Sequence, residues 1–150
     1  MRIGKNSFVH KSAVIEGDVV IGDNCSIWPG AVLRGDEGKI RIGNNTSIQD
    51  NCVVHNKTII GDNVTIGHAA VVHGCTIGSN VLIGMNSTIL TGAKIGDWVI
   101  VGAGSVIKEN QEIPSNVLVA GVPAKVKREL VEEDRKRIGW SCQVYLKKLK

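Results

Sequence analysis

Aliphatic residues recur at every sixth position along most of this chain. A period of six fits neither an α-helix nor an alternating amphipathic strand. It predicts one short strand and a bend in each hexad, with three hexads closing each coil of an all-β solenoid of about six coils. The aliphatic positions that define the repeat are Val9, Ile15, Ile21, Ile27, Leu33, Ile42, Ile48, Val54, Ile60, Ile66, Val72, Ile77, Ile83, Ile89, Ile95, Val101, Ile107, Ile113 and Val119.

Two further positions of the hexad indicate short strands joined by tight turns. The second position is often glycine, and the fourth is usually Asn, Asp or Gly. These residue types tolerate the positive φ of a left-handed turn, so each strand is predicted to end at the fourth position. The fourth-position residues are Asp18, Asn24, Gly30, Asn45, Asn51, Asn63, Asn80, Asn86, Gly92 and Gly104.

The repeat stops near Pro123, and a spacing typical of an amphipathic helix follows. The sequence therefore predicts a single domain, with a β-helix over residues 1–124 and a C-terminal helix over residues 125–150 that packs against it. The residues on the predicted packing face of the helix are Val131, Ile138, Ser141 or Cys142, Tyr145 and Leu149.

Composition narrows the classes of function. The 150 residues are 43% hydrophobic but only 3% aromatic, so the predicted core consists of thin layers of Val, Ile and Ala. The net charge is +4, and residues 125–150 hold nine Lys or Arg against four Asp or Glu. No basic patch interleaved with aromatic residues appears, so we interpret the segment as a solvated helix face. We expect neither nucleic acid nor a membrane surface as a partner.

The cysteines and the chain's hydropathy indicate a compartment. The four cysteines are scattered, without a CxxC pair, which favours reduced thiols in a cytoplasmic protein over a disulfide framework. The first residues lack the apolar core of a signal peptide. No stretch approaches the roughly 18 continuous apolar residues of a membrane span.

The repeat is interrupted twice, and a solenoid this regular needs no interruption in order to fold. Ile42 follows Leu33 by nine positions instead of six, so the segment with Arg34-Gly35-Asp36-Glu37-Gly38 contains a three-residue insertion. Ile77 follows Val72 by five positions instead of six, a one-residue deletion directly after His73. Departures from a regular pattern are where function is expected.

Three histidines lie beside these interruptions. His55 and His73 are 18 residues apart, one full coil, so they are predicted to stack on the same face. A stacked pair can bind a metal ion whose Zn–N bonds are about 2.0–2.1 Å long. His68 lies on a different face, and in a threefold trimer the neighbouring subunit's His68 could complete a three-histidine site. By themselves these residues fit solvated surface histidines equally well, which is how we interpret His10.

The interruptions and the histidines stand in motifs that resemble the γ-class carbonic anhydrases, including their ferripyochelin-binding-protein-like branch. The matching segments are RGDEG, IQDN, GHAAVVHG and GVPAK, and the resemblance covers nearly the whole chain. It implies a left-handed parallel β-helix that assembles as a homotrimer. It also implies zinc, or in some members iron or cobalt, bound by His55 and His73 of one subunit and His68 of the next. The implied reaction is reversible hydration of carbon dioxide to bicarbonate by a metal-bound hydroxide.

The resemblance assigns roles to five further residues. Gln49 matches a residue that orients the metal-bound water or bicarbonate; the alternative is a surface amide that caps a loop. Arg34 and Asp36 match a pair that bridges subunits beside the site; the alternative is an ordinary turn. Glu37 matches an acidic residue that helps to move protons. Tyr145, on the final helix, is either a site residue or a packing residue.

One departure from the family bears on activity. Prototype members carry an acidic proton-shuttle loop after the first histidine, whereas here only Asn56-Lys57-Thr58 precedes the next hexad. We therefore expect a weak enzyme. Two alternatives share the fold, namely a hexapeptide acyltransferase or CoA-thioester hydrolase, and a non-enzymatic metal-binding trimeric scaffold. Such acyltransferases generally use one histidine and a long extruded loop, and this chain has three spaced histidines and short insertions.

Overall fold

The computed structural model describes residues 1–149, which form a parallel β-solenoid with one C-terminal helix. The solenoid predicted from the six-residue repeat is confirmed. Helix α1 spans Glu132–Lys147. The strands are β1 (Arg2–Ile3), β2 (Phe8–Val9), β3 (Val14–Ile21), β4 (Ser26–Ile27), β5 (Val32–Ile42), β6 (Ser47–Ile48), β7 (Val53–His55), β8 (Thr58–Ile60), β9 (Thr65–Ile66), β10 (Val71–His73), β11 (Thr76–Ile77), β12 (Val81–Ile83), β13 (Thr88–Ile89), β14 (Lys94–Ile95), β15 (Val99–Val101), β16 (Val106–Ile107), β17 (Glu112–Ile113), β18 (Val117–Gly121) and β19 (Ala124–Glu129).

The strands stack into three faces along the solenoid axis. One face contains β2, β4, β6, β9, β12, β15 and β18, with one parallel strand from each coil. The described chain therefore makes seven coils, where the repeat predicts about six. The other two faces form one eleven-stranded sheet, because the long strands β3 and β5 continue from one face to the next.

The aliphatic series fills the interior of the prism. Ile27, Ile48 and Ile66 come from successive coils, lie directly above one another and are fully shielded from solvent. Burying one such side chain stabilises a fold by about 1.5–3 kcal/mol relative to leaving it exposed. The core is thus a stack of repeated aliphatic layers, as the composition predicts.

A column of asparagines forms one corner of the prism. Asn6, Asn24, Asn45, Asn63 and Asn80 all have positive φ. The side-chain amide of each donates to the side-chain oxygen of the next, at 3.5, 3.2, 3.1 and 3.2 Å in chain order. The left-handed turns predicted at the fourth hexad position are confirmed here.

One predicted turn residue is displaced. Asp18 lies inside strand β3, and the neighbouring Gly17 has the positive φ, 79°. The pairing of β3 with β5 shifts register between Gly17 and Val19. The prediction of a left-handed turn at Asp18 is therefore wrong by one residue, because glycine adopts positive φ at less steric cost.

The three faces present different side chains to the outside. The helix face, formed by β2, β4, β6, β9, β12, β15 and β18, is covered by α1. The valine face is defined by its outward column of Val14, Val32, Val53, Val71, Thr88 and Val106. The polar face has an outward column of Val20, Arg41, Ile59, Thr76, Lys94 and Glu112. Within residues 1–149, the valine face is thus an apolar face that no element covers.

Helix α1 packs on the helix face but begins later than predicted. Ile138 of the helix and Leu130 before it pack against Ile100. Residues 125–129, which were predicted to be helical, belong to β19 and pair antiparallel with β18. The predicted boundary at 125 is therefore wrong, because β18 offers a free edge that this segment completes.

The first helical turn is acidic, which suits the positive end of the helix dipole. Glu132, Glu133 and Asp134 occupy this turn, and Val131 is the N-cap residue. Val131 is 55% exposed, so its predicted place on the packing face is wrong. No helix within residues 1–149 is long and apolar enough to cross a membrane.

The Asp134 carboxylate joins the start of α1 to β19. It accepts two hydrogen bonds from Arg128, at 2.6 and 3.0 Å, and one from the Val131 amide at 2.8 Å. These hydrogen bonds, first of all those from Arg128, lower the pKa of Asp134 from 3.8 to about 2.

Replacing Asp134 with Asn is expected to reduce the free energy of unfolding near neutral pH by about 1 kcal/mol, as for the loss of a helix cap. Because the folded-state pKa lies below the unfolded-state value, this stabilisation is complete above the unfolded-state pKa of 3.8 and is lost as the pH falls toward 2. Urea unfolding of both proteins at neutral pH and around pH 2 measures the effect. Glu133→Gln, on the same turn, is the control, and a difference that persists at low pH would contradict the role of Asp134.

Candidate metal centre

His55 and His73 end the neighbouring strands β7 and β10 and lie one above the other. The strand register pairs them directly, which confirms the stacking predicted from their spacing. Nδ1 of His55 is 3.1 Å from Nε2 of His73. Two nitrogens bound to one tetrahedral zinc ion lie about 3.3 Å apart, given Zn–N bonds of about 2.0–2.1 Å. The pair therefore has a spacing that suits a shared metal ion.

The three-residue insertion surrounds His55 with charged groups. Oδ1 of Asp36 is 3.4 Å and Oε2 of Glu37 is 3.8 Å from Nε2 of His55. Arg34 pairs with His55 in the strand register and donates to the other Asp36 oxygen at 2.9 Å. Desolvation acts to raise the pKa of Asp36, but a hydrogen bond from its own backbone amide and the charge of Arg34 hold it below its ordinary value. The insertion thus supplies an ionised carboxylate beside the histidine pair.

The two nitrogens of His55 have different surroundings. His55 is only 9% exposed, and its Nε2 atom makes no hydrogen bond but lies near the Asp36 and Glu37 carboxylates, at 3.4 and 3.8 Å. Its Nδ1 atom is the one that faces His73. Imidazole nitrogens are ligands that zinc, iron and cobalt accept. The residues present therefore fit a divalent metal ion.

His68 lies at the corner between the helix face and the valine face, after β9 and before β10. Its Nδ1 atom is 3.1 Å from Oδ1 of Asp50, which leaves Nε2 for another partner. Within residues 1–149, no three His, Cys, Asp or Glu side chains are grouped closely enough to hold a metal. His68 therefore does not join His55 and His73 within one chain.

Gln49 and Tyr145 lie with His68. All three line a cavity of about 450 Å³ between α1 and the helix face. Gln49 is buried, with 6% exposure. The ring of Tyr145 packs edge-on against Trp28 with centroids 5.6 Å apart, and burial, followed by the charge of Asp50, raises the pKa of its hydroxyl. Tyr145 thus packs against Trp28 and also borders the cavity, and its role as a site residue stays a prediction.

The predicted site residues therefore fall into two groups. The first surrounds the histidine pair and consists of His55, His73, Arg34, Asp36 and Glu37. The second lines the cavity and consists of His68, Gln49 and Tyr145. Within one chain the two groups lie on different parts of the prism.

Comparison with known proteins identifies the family. A family model described as "Bacterial transferase hexapeptide (six repeats)" matches residues 1–35, 39–74 and 74–109. A Methanocaldococcus jannaschii protein named "Probable carbonic anhydrase" is 56% identical over 97% of this chain and 94% of its own length. "Gamma carbonic anhydrase 2, mitochondrial" of Arabidopsis thaliana is 44% identical over 96% of this chain, which spans 55% of that protein. The chain belongs to the γ-class carbonic anhydrase branch of the hexapeptide-repeat family.

The fold of this γ-class chain is shared with transferase relatives. A solved structure described as a hexapeptide transferase family protein from Anaplasma phagocytophilum superimposes with a TM-score of 0.86 at 41% identity. The match covers 95% of this chain and 90% of that one. The solenoid alone therefore does not separate the two activities, and the histidine geometry has to do so.

Two residues that contact the histidines of this γ-class chain were not predicted as site residues. Asp50 contacts His68, and Oγ1 of Thr91 is 2.9 Å from Nδ1 of His73. Asp50 precedes His68 by 18 residues and Thr91 follows His73 by 18. The one-coil spacing that pairs His55 with His73 could have found Asp50. It could not have found Thr91, because the coil shortened by the deletion has 17 residues and its register places Thr91 one position beyond the residue opposite His73.

Proposed function

We propose that this protein is a γ-class carbonic anhydrase, which hydrates carbon dioxide reversibly to bicarbonate with a zinc ion held between subunits of a homotrimer. The proposed ligands are His55 and His73 of one subunit and His68 of the partner subunit. The observation that carries the proposal is the 3.1 Å spacing of the facing nitrogens of His55 and His73. Iron and cobalt, which imidazole also binds, are the alternative metals.

The valine face supports a site shared between subunits. Its outward valines lie on the same strands as His55 and His73, so a subunit docked on this face lies next to the pair. Burial of exposed apolar surface drives association. His68 lies at the corner of the same face, and a threefold arrangement of identical subunits can place each corner against the neighbouring face.

Four residues of the chain have separate proposed roles in the reaction. Zinc, when bound by three imidazoles, lowers the pKa of a coordinated water to about 7 and keeps a fourth position open for it. Gln49, buried beside His68, carries an amide that can donate a hydrogen bond to bicarbonate and so orient it. Arg34 holds Asp36 beside His55. Glu37, whose side chain is 63% exposed, lies where it can accept the proton that hydration releases and pass it to solvent.

Proton release is expected to limit the rate. After His55 the chain turns within two residues, with positive φ at Asn56 and a 2.7 Å hydrogen bond from the Lys57 amide to the Asn56 side chain. Strand β8 begins directly afterwards at Thr58. This turn carries no carboxylate, so Glu37 is the acidic side chain that the proposal assigns to proton transfer.

Stopped-flow measurement of carbon dioxide hydration, with metal content determined on the same sample, tests the proposal. Hydration is expected to disappear when a chelator removes the metal, to return with added zinc and to be lost in His73→Ala. His10→Ala is the control and should be unaffected. A metal-loaded but inactive wild type would contradict the activity, and a protein that takes up no divalent metal would contradict the site.

Acyl transfer or CoA-thioester hydrolysis is the second candidate function. It rests on the cavity beside His68, whose lining includes Leu82, Ile100 and Leu118 and suits an apolar chain much larger than carbon dioxide. Thiol release from acyl-CoA, measured on the same metal-loaded samples, separates the two activities. Inactivity in both assays would favour a metal-binding scaffold.

We also propose a cytoplasmic location, which the state of the cysteines supports. All four are free and buried. Burial raises the pKa of Cys52 to about 11 and that of Cys75 to about 12. These thiols therefore stay protonated and unreactive, as suits structural cysteines in a reducing compartment.

A further inference from the structure

We propose that Thr91 is a positioning residue that holds the His73 ring ready for metal binding, and that the one-residue deletion after His73 brings Thr91 within reach. The inference rests on the proposed metal site. It concerns a contact that is present in the chain itself, so part of it can be tested without metal.

The His73 ring is held from both sides. On one side its Nδ1 atom is 2.9 Å from the hydroxyl oxygen of Thr91, in the coil above. On the other side its Nε2 atom is 3.1 Å from Nδ1 of His55, in the coil below. This orientation leaves Nε2 as the nitrogen of His73 that faces the other histidine.

The hydroxyl of Thr91 matters because a neutral imidazole carries one ring proton. Nε2 can give its lone pair to a metal only if that proton is on Nδ1. An N–H group needs an acceptor, and the Thr91 hydroxyl oxygen, 2.9 Å from Nδ1, can accept that proton. Without it, the proton is better placed on Nε2, where it can be donated to His55 and where it blocks the metal. Such partners of ligand histidines typically change metal affinity 10–100-fold.

The deletion explains why Thr91 can reach His73. Gly74 follows His73 at the shortened corner, with φ of 61°. Its amide donates to the His55 carbonyl at 2.9 Å, and its own carbonyl accepts from the Gly92 amide at 2.8 Å. A Cβ at Gly74 would lie 3.2 Å from both Cγ2 and Oγ1 of Thr91, so the two coils are already in close approach here. The shortened corner thus holds Gly74 directly against Thr91.

Zinc affinity measured by competition with a chelating dye tests the proposal. Thr91→Val, which has the same shape without a hydroxyl, is expected to weaken zinc binding about tenfold. Thr91→Ser should restore it. Thr76→Val, an exposed threonine on the polar face, is the matched control and should bind zinc as the wild type does.

The ring tautomer of His73, read from its ¹⁵N chemical shifts in metal-free protein, gives an independent result. At mildly alkaline pH the wild type is expected to carry the proton on Nδ1, and Thr91→Val is expected to shift it toward Nε2. Wild-type tautomer and zinc affinity in Thr91→Val would overturn the role of Thr91. A wild type that binds no zinc would refute the proposed function, while the tautomer measurement would still decide the role of Thr91.

A glycine inserted between Gly74 and Cys75 restores the full hexad and tests the deletion. The insertion is expected to weaken zinc binding about as much as Thr91→Val. Because both changes remove the same contact, adding Thr91→Val to the insertion should cost nothing further. An insertion variant with wild-type zinc affinity would overturn the role of the deletion.

Discussion

Trimers assembled from a mixture of His68→Ala and His73→Ala subunits are expected to regain about one quarter of the wild-type hydration activity, although each variant alone has none. A complete site needs His55 and His73 from one subunit and His68 from the partner subunit. In every mixed trimer, one of the three interfaces joins an intact pair to an intact His68. With equal amounts of both variants, about three quarters of the trimers are mixed, so about one quarter of all sites are complete.

Coexpression of the two variants with different affinity tags, followed by purification through both tags, yields the mixed trimers directly. In that doubly purified sample the activity and the zinc content should each reach about one third of the wild-type values. His55→Ala mixed with His73→Ala is the matched control and should stay inactive, because both substitutions damage the same half of the site. Activity in the His68→Ala homotrimer, or no recovery in the mixture, would refute the shared site.

Val71→Glu is expected to abolish the trimer and, with it, zinc binding. Val71 is in the middle of the outward column of the valine face, one strand from Val53 and on the same strand as His73. Burying an unpaired carboxylate at an interface costs several kcal/mol, which is a large part of the free energy of a typical association. The fold should persist, because the side chain points away from the core formed by Val72 and its neighbours.

Light scattering coupled to size-exclusion chromatography measures the mass, and circular dichroism checks the fold. Ile59→Glu is the matched control, because it places the same charge at an exposed aliphatic position of the polar face. This control should remain trimeric and bind zinc. A trimeric Val71→Glu protein would show that the subunits associate elsewhere, and a zinc-loaded monomer would show that one chain suffices.

The interior of this protein could be predicted from sequence because each layer depends on a local pattern. An aliphatic residue followed by Asn or Gly three positions later specifies one strand and one corner, and stacking repeats the unit. Ile48 above Ile66, and His55 beside His73, both follow from the 18 residues of a regular coil. Counting does not lead to Thr91, because the deletion shortens that coil to 17 residues, and nothing local indicates that a threonine hydroxyl faces an imidazole.

The end of the solenoid could not be predicted in this way. Residues 124–129 alternate charged and apolar side chains near a helical segment, and they become a strand only because β18 leaves an edge unpaired. Similarly, the long strand β5 contains Arg34 and Asp36, which the sequence alone could equally place in a turn. Both outcomes depend on neighbouring strands rather than on the segment itself.

The antiparallel strand β19 also determines how the molecule behaves in crowded solution. A stack of parallel coils has open ends, and the first coil of another molecule could add to the last and so begin a fibre. Strand β19 occupies the edge of β18 in the opposite direction and carries Lys125, Lys127 and Glu129 into solvent. An incoming parallel strand therefore cannot pair with β18, because β19 already occupies that edge and carries charged side chains. The segment that leads into helix α1 thus blocks end-to-end addition at the edge of the helix face.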